Sequence, residues 1–102
     1  MVIAQVSVVP VGTGTPSVSK YVAGAIRSIG EETNIKYQLT GMGTILEGEL
    51  TAVMEAVRKM HESVFIDRIK RVVTTVTIDD RRDREASVER KVKSVSEKLP
   101  GQ

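Results

Sequence analysis

The loop at residues 12–16, GTGTP, is the first stretch whose residue types could bind a ligand. Consecutive backbone N–H groups close to the start of a helix can hold an anion such as phosphate. The spacing matches neither a Walker loop nor a dinucleotide fingerprint, and no Lys-Ser or Lys-Thr pair follows the glycines. The loop therefore predicts either a turn that caps a helix or a loop that grips a ligand.

His61 is the only histidine of the chain. Val57 and Phe65 stand four residues to either side of it, so no second metal ligand is at helical spacing. Glu62 is adjacent, but neighbouring helix positions point about 100° apart, which disfavours an acid-base pair. We predict a packed histidine, no metal site, no catalytic residue and no enzymatic activity, because no nucleophile-base pair emerges.

Glu47 lies between apolar neighbours on a predicted strand. A partly covered carboxylate is costly unless it is paired. Its partner is expected to be either Arg71 of the last strand or a cationic ligand.

The charged segment at residues 79–85, DDRRDRE, lies between a strand and a helix. It predicts a solvated ion-pair network, with Asp83 near the helix N-terminus, where acids are favoured. The alternatives are that Asp79 or Asp80 pairs with an arginine of another subunit or contacts a ligand.

Length and composition indicate a single soluble domain over residues 1–102. The absence of cysteine excludes a disulfide framework and a thiol nucleophile. The net charge of +2 arises from intermixed acids and bases, and three aromatic residues are too few for a nucleic-acid stacking platform. No apolar run approaches the roughly 20 residues that span a bilayer. The apolar N-terminus lacks a basic region before it, so we expect a strand, not a signal peptide, and a cytoplasmic protein.

Hydrophobic periodicity predicts seven elements around a hairpin at residues 37–49. Gly41 and Gly43 are expected to supply positive φ at its turn. A helix opens near Pro16, capped by Ser17 or Thr15. The predicted elements are a strand over 2–11, a helix with its apolar stripe over 18–29, the two hairpin strands, a helix with its stripe over 50–64, a strand over 70–80 and a helix over 88–99 that Pro100 and Gly101 end.

This β-α-β-β-α-β order with an extra C-terminal helix predicts a ferredoxin-like α+β fold, an antiparallel sheet with two helices on one face. The first and last strands are expected at its centre, joined through right-handed crossovers. The other face carries apolar Ile3, Val9, Ile45 and Val73. The third helix or the sheet of another subunit must cover it, and we expect a homo-oligomer.

Four segments in order, GTGTPSVSKYVA, YQLTGMGTILEGEL, HESVF and RVVTTVTIDDRRD, resemble the small thiamine-binding protein family. The resemblance covers residues 3–95, and GMGTILEG and IDDRRD are its specific parts. Gly41 stands where the family often has proline, which we expect to loosen the turn. The resemblance implies sheets packed face to face into homodimers, homodimers paired into homotetramers, and binding of thiamine or a related pyrimidine without catalysis and without a cofactor.

Thiamine combines a fixed positive charge, a hydrogen-bonding aminopyrimidine and flat aromatic faces, so its site needs an acid, polar groups and a stacking partner. Glu47 is the candidate for the cation, with Asp79 and Asp80 as alternatives. Tyr21 and Tyr37 are candidates for stacking, and Met42 for closing over the ligand. The candidate hydrogen-bonding side chains are Ser7, Ser17, Ser19, Gln38, Thr40 and Thr44. The alternative function is an oligomeric regulatory module that senses another small metabolite or an anion at the GTGTP loop.

Overall fold

The computed structural model describes residues 1–32, 34–85 and 87–99. Within them the elements are β1 (Val2–Pro10), α1 (Ser19–Ile29), β2 (Ile35–Thr40), β3 (Gly43–Gly48), α2 (Leu50–Ser63), β4 (Val72–Asp80) and α3 (Val88–Ser96). This order confirms the predicted ferredoxin-like fold with a C-terminal helix. The predicted end of α3 at Pro100 and Gly101 lies outside the described residues. No helix in the described ranges is long and apolar enough to cross a bilayer.

The sheet has the strand order β2-β3-β1-β4, and every neighbouring pair is antiparallel. The prediction that the first and last strands are central was wrong for β4, which forms an edge. The hairpin pairs β3 with β2, and the crossover through α1 leaves a one-strand gap between β1 and β2. β3 fills that gap and runs antiparallel to β1, so a right-handed crossover through α2 on the same face as α1 places β4 on the free side of β1.

The core lies between the sheet and the two helices α1 and α2. Alternate residues of β1 point into this core, because successive side chains of a strand face opposite sides of the sheet. Leu46 of β3 is fully buried there. The other buried apolar residues of these elements are Val2, Ala4, Val6 and Val8 of β1, Tyr21, Ala25 and Ile29 of α1, Ile35 of β2, and Val53, Ala56, Val57 and Met60 of α2.

The chain turns before α1 in a way that the sequence did not predict. Gly12 and Gly14 have the left-handed φ values, +87° and +78°, whereas Gly41 and Gly43 do not. Thr15 and Ser17 do not cap α1, which begins at Ser19 without a side-chain cap. The Oγ1 of Thr15 instead accepts a hydrogen bond from the N–H of Ser17 at 3.3 Å within the loop. This local bond uses the hydroxyl that was expected to cap the helix.

Candidate functional site: a cavity between the sheet and α3

α3 lies on the sheet face opposite α1 and α2, and two polar contacts hold it there. The Oε1 of Glu47 accepts a hydrogen bond from the N–H of Val88 at 2.8 Å. Lys91 forms an ion pair with Asp79 of β4. The Oγ of Ser87 accepts a hydrogen bond from the N–H of Arg90 at 3.1 Å and so caps the helix. The Glu47 carboxylate therefore lies against the positive end of the α3 dipole.

A cavity of about 640 Å³ lies between α3 and strands β2 and β3. That volume is in the range of small-molecule sites. The strand register explains how its sheet wall is built, since Lys36 pairs with Glu47 and Gln38 pairs with Ile45 on the same face. The lining residues are Lys36, Tyr37, Gln38, Ile45, Glu47, Ser87, Val88, Glu89, Val92 and Lys93.

Tyr37, Gln38 and Glu47 are the predicted site residues that this cavity brings together. Glu47 is half-buried. Gln38 is exposed on the cavity face and can contact a ligand from the rim. Tyr37 lies opposite Leu46 in the register, so strand alternation turns its 45% exposed ring to the helix face. The side chains of Glu47 and Gln38 thus share one face with the apolar side chain of Ile45, and the predicted stacking by Tyr37 is not placed there.

The remaining predicted residues lie elsewhere. Tyr21 and Thr44 are buried, at 6% and 2% exposure, on the helix side of the sheet. Ser7 is on the α3 side, on β1, but does not line the cavity. Thr40 donates its hydroxyl to the carbonyl oxygen of Gly43 at 2.8 Å, and Met42 projects from the hairpin turn at 82% exposure. The cavity therefore contains only part of the predicted set.

The GTGTP loop lines a second cavity, of about 530 Å³, and Ser17 and Ser19 follow it. Its lining consists of Val9, Pro10, Val11, Gly12, Thr13, Gly14, Thr15, Pro16 and Val18. In the part of the chain that the structure describes, no charged side chain lines this space. The loop also binds itself, because the hydroxyl of Thr13 donates to the carbonyl oxygen of Thr15 at 2.7 Å. These features favour a structural turn over an anion-binding loop.

Of the two partners expected for Glu47, Arg71 and a cationic ligand, Arg71 is not in contact with it in the structure. In the strand register, Glu47 lies opposite Ile3, near the start of β1. The carbonyl oxygen of Arg71 accepts from the N–H of Val11, just beyond the far end of the same strand. The partner of Glu47 is the backbone of α3, which sequence analysis treated only as a cover. Ser87 followed by an amphipathic stripe was the available signal, since serine is a preferred N-cap.

His61 packs on the helix side of the sheet. Its Nδ1 is 2.7 Å from the Oγ1 of Thr74, and its ring meets that of Phe65 edge-on with centroids 5.3 Å apart. Among residues 1–32, 34–85 and 87–99, no group of three or more histidines and acids could hold a metal ion. His61 is half-buried, and its ring contacts Thr74 and Phe65.

The segment at residues 79–85 forms ion pairs within this chain. Arg81 pairs with Asp83 at 2.6 Å, and Arg82 pairs with Asp80 at 2.8 Å. Hydrogen bonds from these guanidinium groups lower the pKa of both aspartates. Asp83 is thus engaged by Arg81 and does not sit in the first turn of α3, where Glu89 is the acid. Its predicted position was wrong.

Known proteins resemble this chain over nearly its whole length. A family model described as Thiamine-binding protein matches residues 4–96. UPF0045 protein YqgV of Bacillus subtilis is 44% identical over 102 residues, covering 97% of this chain and 98% of YqgV. A UPF0045 protein of Methanothermobacter thermautotrophicus is 45% identical, covering 97% of this chain and 100% of its own. The crystal structure of MJ1052 from Methanocaldococcus jannaschii superimposes with a TM-score of 0.85 at 42% identity, covering 94% of this chain and 96% of that chain.

Proposed function

This chain belongs to the thiamine-binding protein family, and we propose that it binds thiamine, or a related pyrimidine or thiazolium metabolite, in the cavity beneath α3. The observation that carries the proposal is a half-buried carboxylate, Glu47, that lines a ligand-sized cavity beside the apolar side chains of Ile45 and Val92. A fixed organic cation is attracted by a carboxylate, and this attraction is stronger where the carboxylate is partly shielded from water.

The polar groups of the cavity suit the rest of such a ligand. Glu47 uses Oε1 for the N–H of Val88, and Oε2 accepts no hydrogen bond from the described residues. The amide of Gln38 both donates and accepts, as recognition of an aminopyrimidine requires. Ile45 and Val92 supply apolar surface. The proposed role is binding without catalysis.

Isothermal titration of thiamine into the wild type and Glu47→Gln tests this site. Glutamine keeps an oxygen that can accept from Val88, so the variant removes the charge and preserves the tie to α3. We expect binding by the wild type and at least a tenfold weaker affinity in the variant, about 1.4 kcal/mol. Glu62→Gln, on an exposed α2 position, is the matched control and is expected to bind like the wild type.

A second outcome is that the wild type gives no heat with thiamine, thiamine phosphates or the pyrimidine half. That result would reject the proposal and leave the alternative, an oligomeric module that senses another metabolite. Equal affinities in the wild type and Glu47→Gln would place the ligand away from this cavity.

We also propose that the chain forms a homodimer that assembles into a homotetramer. Val9 and Val73 are 41% and 47% exposed on the open face of the sheet. An apolar stripe runs along α3 and into the turn that follows it. Each of its residues, Val92 and Val95 of α3 and Leu99 of the turn, is at least 49% exposed. We expect light scattering of the wild type to give about four times the 11.1 kDa chain mass. We expect the Val95→Asp variant, which places a charge in the apolar stripe, to have a lower mass. Ser94→Asp, at a position outside the stripe, is the control and is expected to keep the mass of the wild type. A monomeric wild type would reject this proposal.

A further inference from the structure

Two acidic and two basic side chains line the cavity beneath α3. On the sheet wall, Lys36 is paired in register with Glu47. On the helix wall, Glu89 and Lys93 are four residues apart and so share one flank of α3. Each wall of the cavity therefore presents one carboxylate and one ammonium group.

The two ammonium groups are weakly engaged by the protein. Within the described ranges, Lys36 has no carboxylate oxygen within 4 Å. The Nζ of Lys93 is 4.0 Å from the Oε1 of Glu97, and both side chains are largely exposed. Exposed ion pairs of this kind contribute little. Both lysines remain able to contact a ligand.

A ligand that carries only positive charge fits this lining incompletely. It is attracted by Glu47 and Glu89 but repelled by Lys36 and Lys93. A ligand with a cationic ring and an anionic tail has favourable partners at both ends. Glu89 and Lys93 are four residues apart on α3, roughly 6 Å along the helix axis at about 1.5 Å per residue, a spacing that a ring with a short arm can span.

We propose that the cavity selects a zwitterion, a cationic heterocycle that carries a phosphate group, over the unphosphorylated cation. This inference rests on the proposed function and specifies the form of its ligand. Glu47 and Glu89 face the ring charge, and Lys36 and Lys93 bind the phosphate, whose oxygens form strong charge-assisted hydrogen bonds with ammonium groups. The flexible lysine stems let both groups reach the tail from opposite walls.

The test titrates thiamine and thiamine monophosphate into the wild type, Lys36→Gln and Lys93→Gln. We expect the wild type to bind the monophosphate more tightly than thiamine. Each variant is expected to weaken monophosphate binding about three- to fivefold and to tighten thiamine binding slightly, because it removes a charge that repels the cation. Added salt is expected to reduce the preference. Lys70→Gln, an exposed position outside the cavity, is the matched control and should change neither affinity.

The outcomes separate this inference from the proposed function. If thiamine binds and the monophosphate binds no more tightly, phosphate selection is rejected and the proposed function stands. If both variants weaken the two ligands equally, the lysines only shape the cavity, and the inference is again rejected. If neither ligand binds to the wild type, the proposed function itself fails. All substituted lysines are exposed, so circular dichroism is expected to show unchanged folding.

Discussion

Gly43 at the start of β3 has no room for a side chain because β1 passes directly beside it. An added Cβ would lie 2.8 Å from the carbonyl oxygen of Val6. Backbone that is held in strand pairing cannot shift without disturbing its ladders. We expect Gly43→Ala to lower the free energy of unfolding by about 1–3 kcal/mol, measured by urea denaturation.

Gly41 provides the control for this prediction. A Cβ there would meet nothing within 4 Å, and its φ is not left-handed. Gly41→Ala should therefore change stability by less than about 0.5 kcal/mol. Similar losses in the two variants would contradict a steric role for Gly43.

Arg68 occupies a backbone conformation that suits glycine better. Asp67 and Arg68 have φ values of 52° and 66°, and the N–H of Ile69 donates to the carbonyl oxygen of Ile66 at 2.9 Å across this turn. A left-handed conformation costs a non-glycine residue about 1–2 kcal/mol. We expect Arg68→Gly to raise the free energy of unfolding by about 0.5–1 kcal/mol, measured by thermal denaturation. Lys70→Gly has no such strain to relieve, so a gain there as well would contradict the explanation.

Among the elements, α3 is the one whose stability depends most on local contacts, since none of its residues is buried. Ser87→Ala removes the cap on the N–H of Arg90, a loss of typically about 1 kcal/mol of helix stability. We expect hydrogen exchange of α3 amides to become roughly fivefold faster, while β1 amides keep their protection. Ser94→Ala, inside the helix, is the control. Equal acceleration of both elements would show that α3 unfolds only with the whole domain.

Local patterns predicted the elements better than the contacts between them. Alternation along β1 and helical spacing in α1 and α2 identified the correct buried faces, because each pattern is confined to one element. The contact of Glu47 with Val88 joins residues 41 positions apart, and no local pattern specifies where α3 docks. Tyr21 and Thr44 were predicted as ligand-binding residues from the chemistry of their side chains. Both lie on the helix side of the sheet, so neither reaches the cavity.

At the scale of the whole molecule, stability depends on one small core. Leu46 is fully buried on the central strand β3. Leu46→Ala is expected to cost about 2–5 kcal/mol, a large part of the 5–15 kcal/mol that typically stabilises a domain. Leu39→Ala, at 59% exposure on β2, is the matched control with a much smaller expected loss. Equal shifts of the urea midpoint would contradict this placement of the core.

The long ladder between β1 and β4 constrains how the polypeptide folds during its synthesis. β1 is made before the other elements of the sheet, yet its register joins Val2 to Asp80 and Pro10 to Val72. Until β4 has left the ribosome, one side of the valine-rich β1 has no partner, and such open edges favour association with other chains. Contacts at such large sequence separation also form slowly. The sheet therefore closes late, and nascent chains must stay soluble until most of the domain has been made.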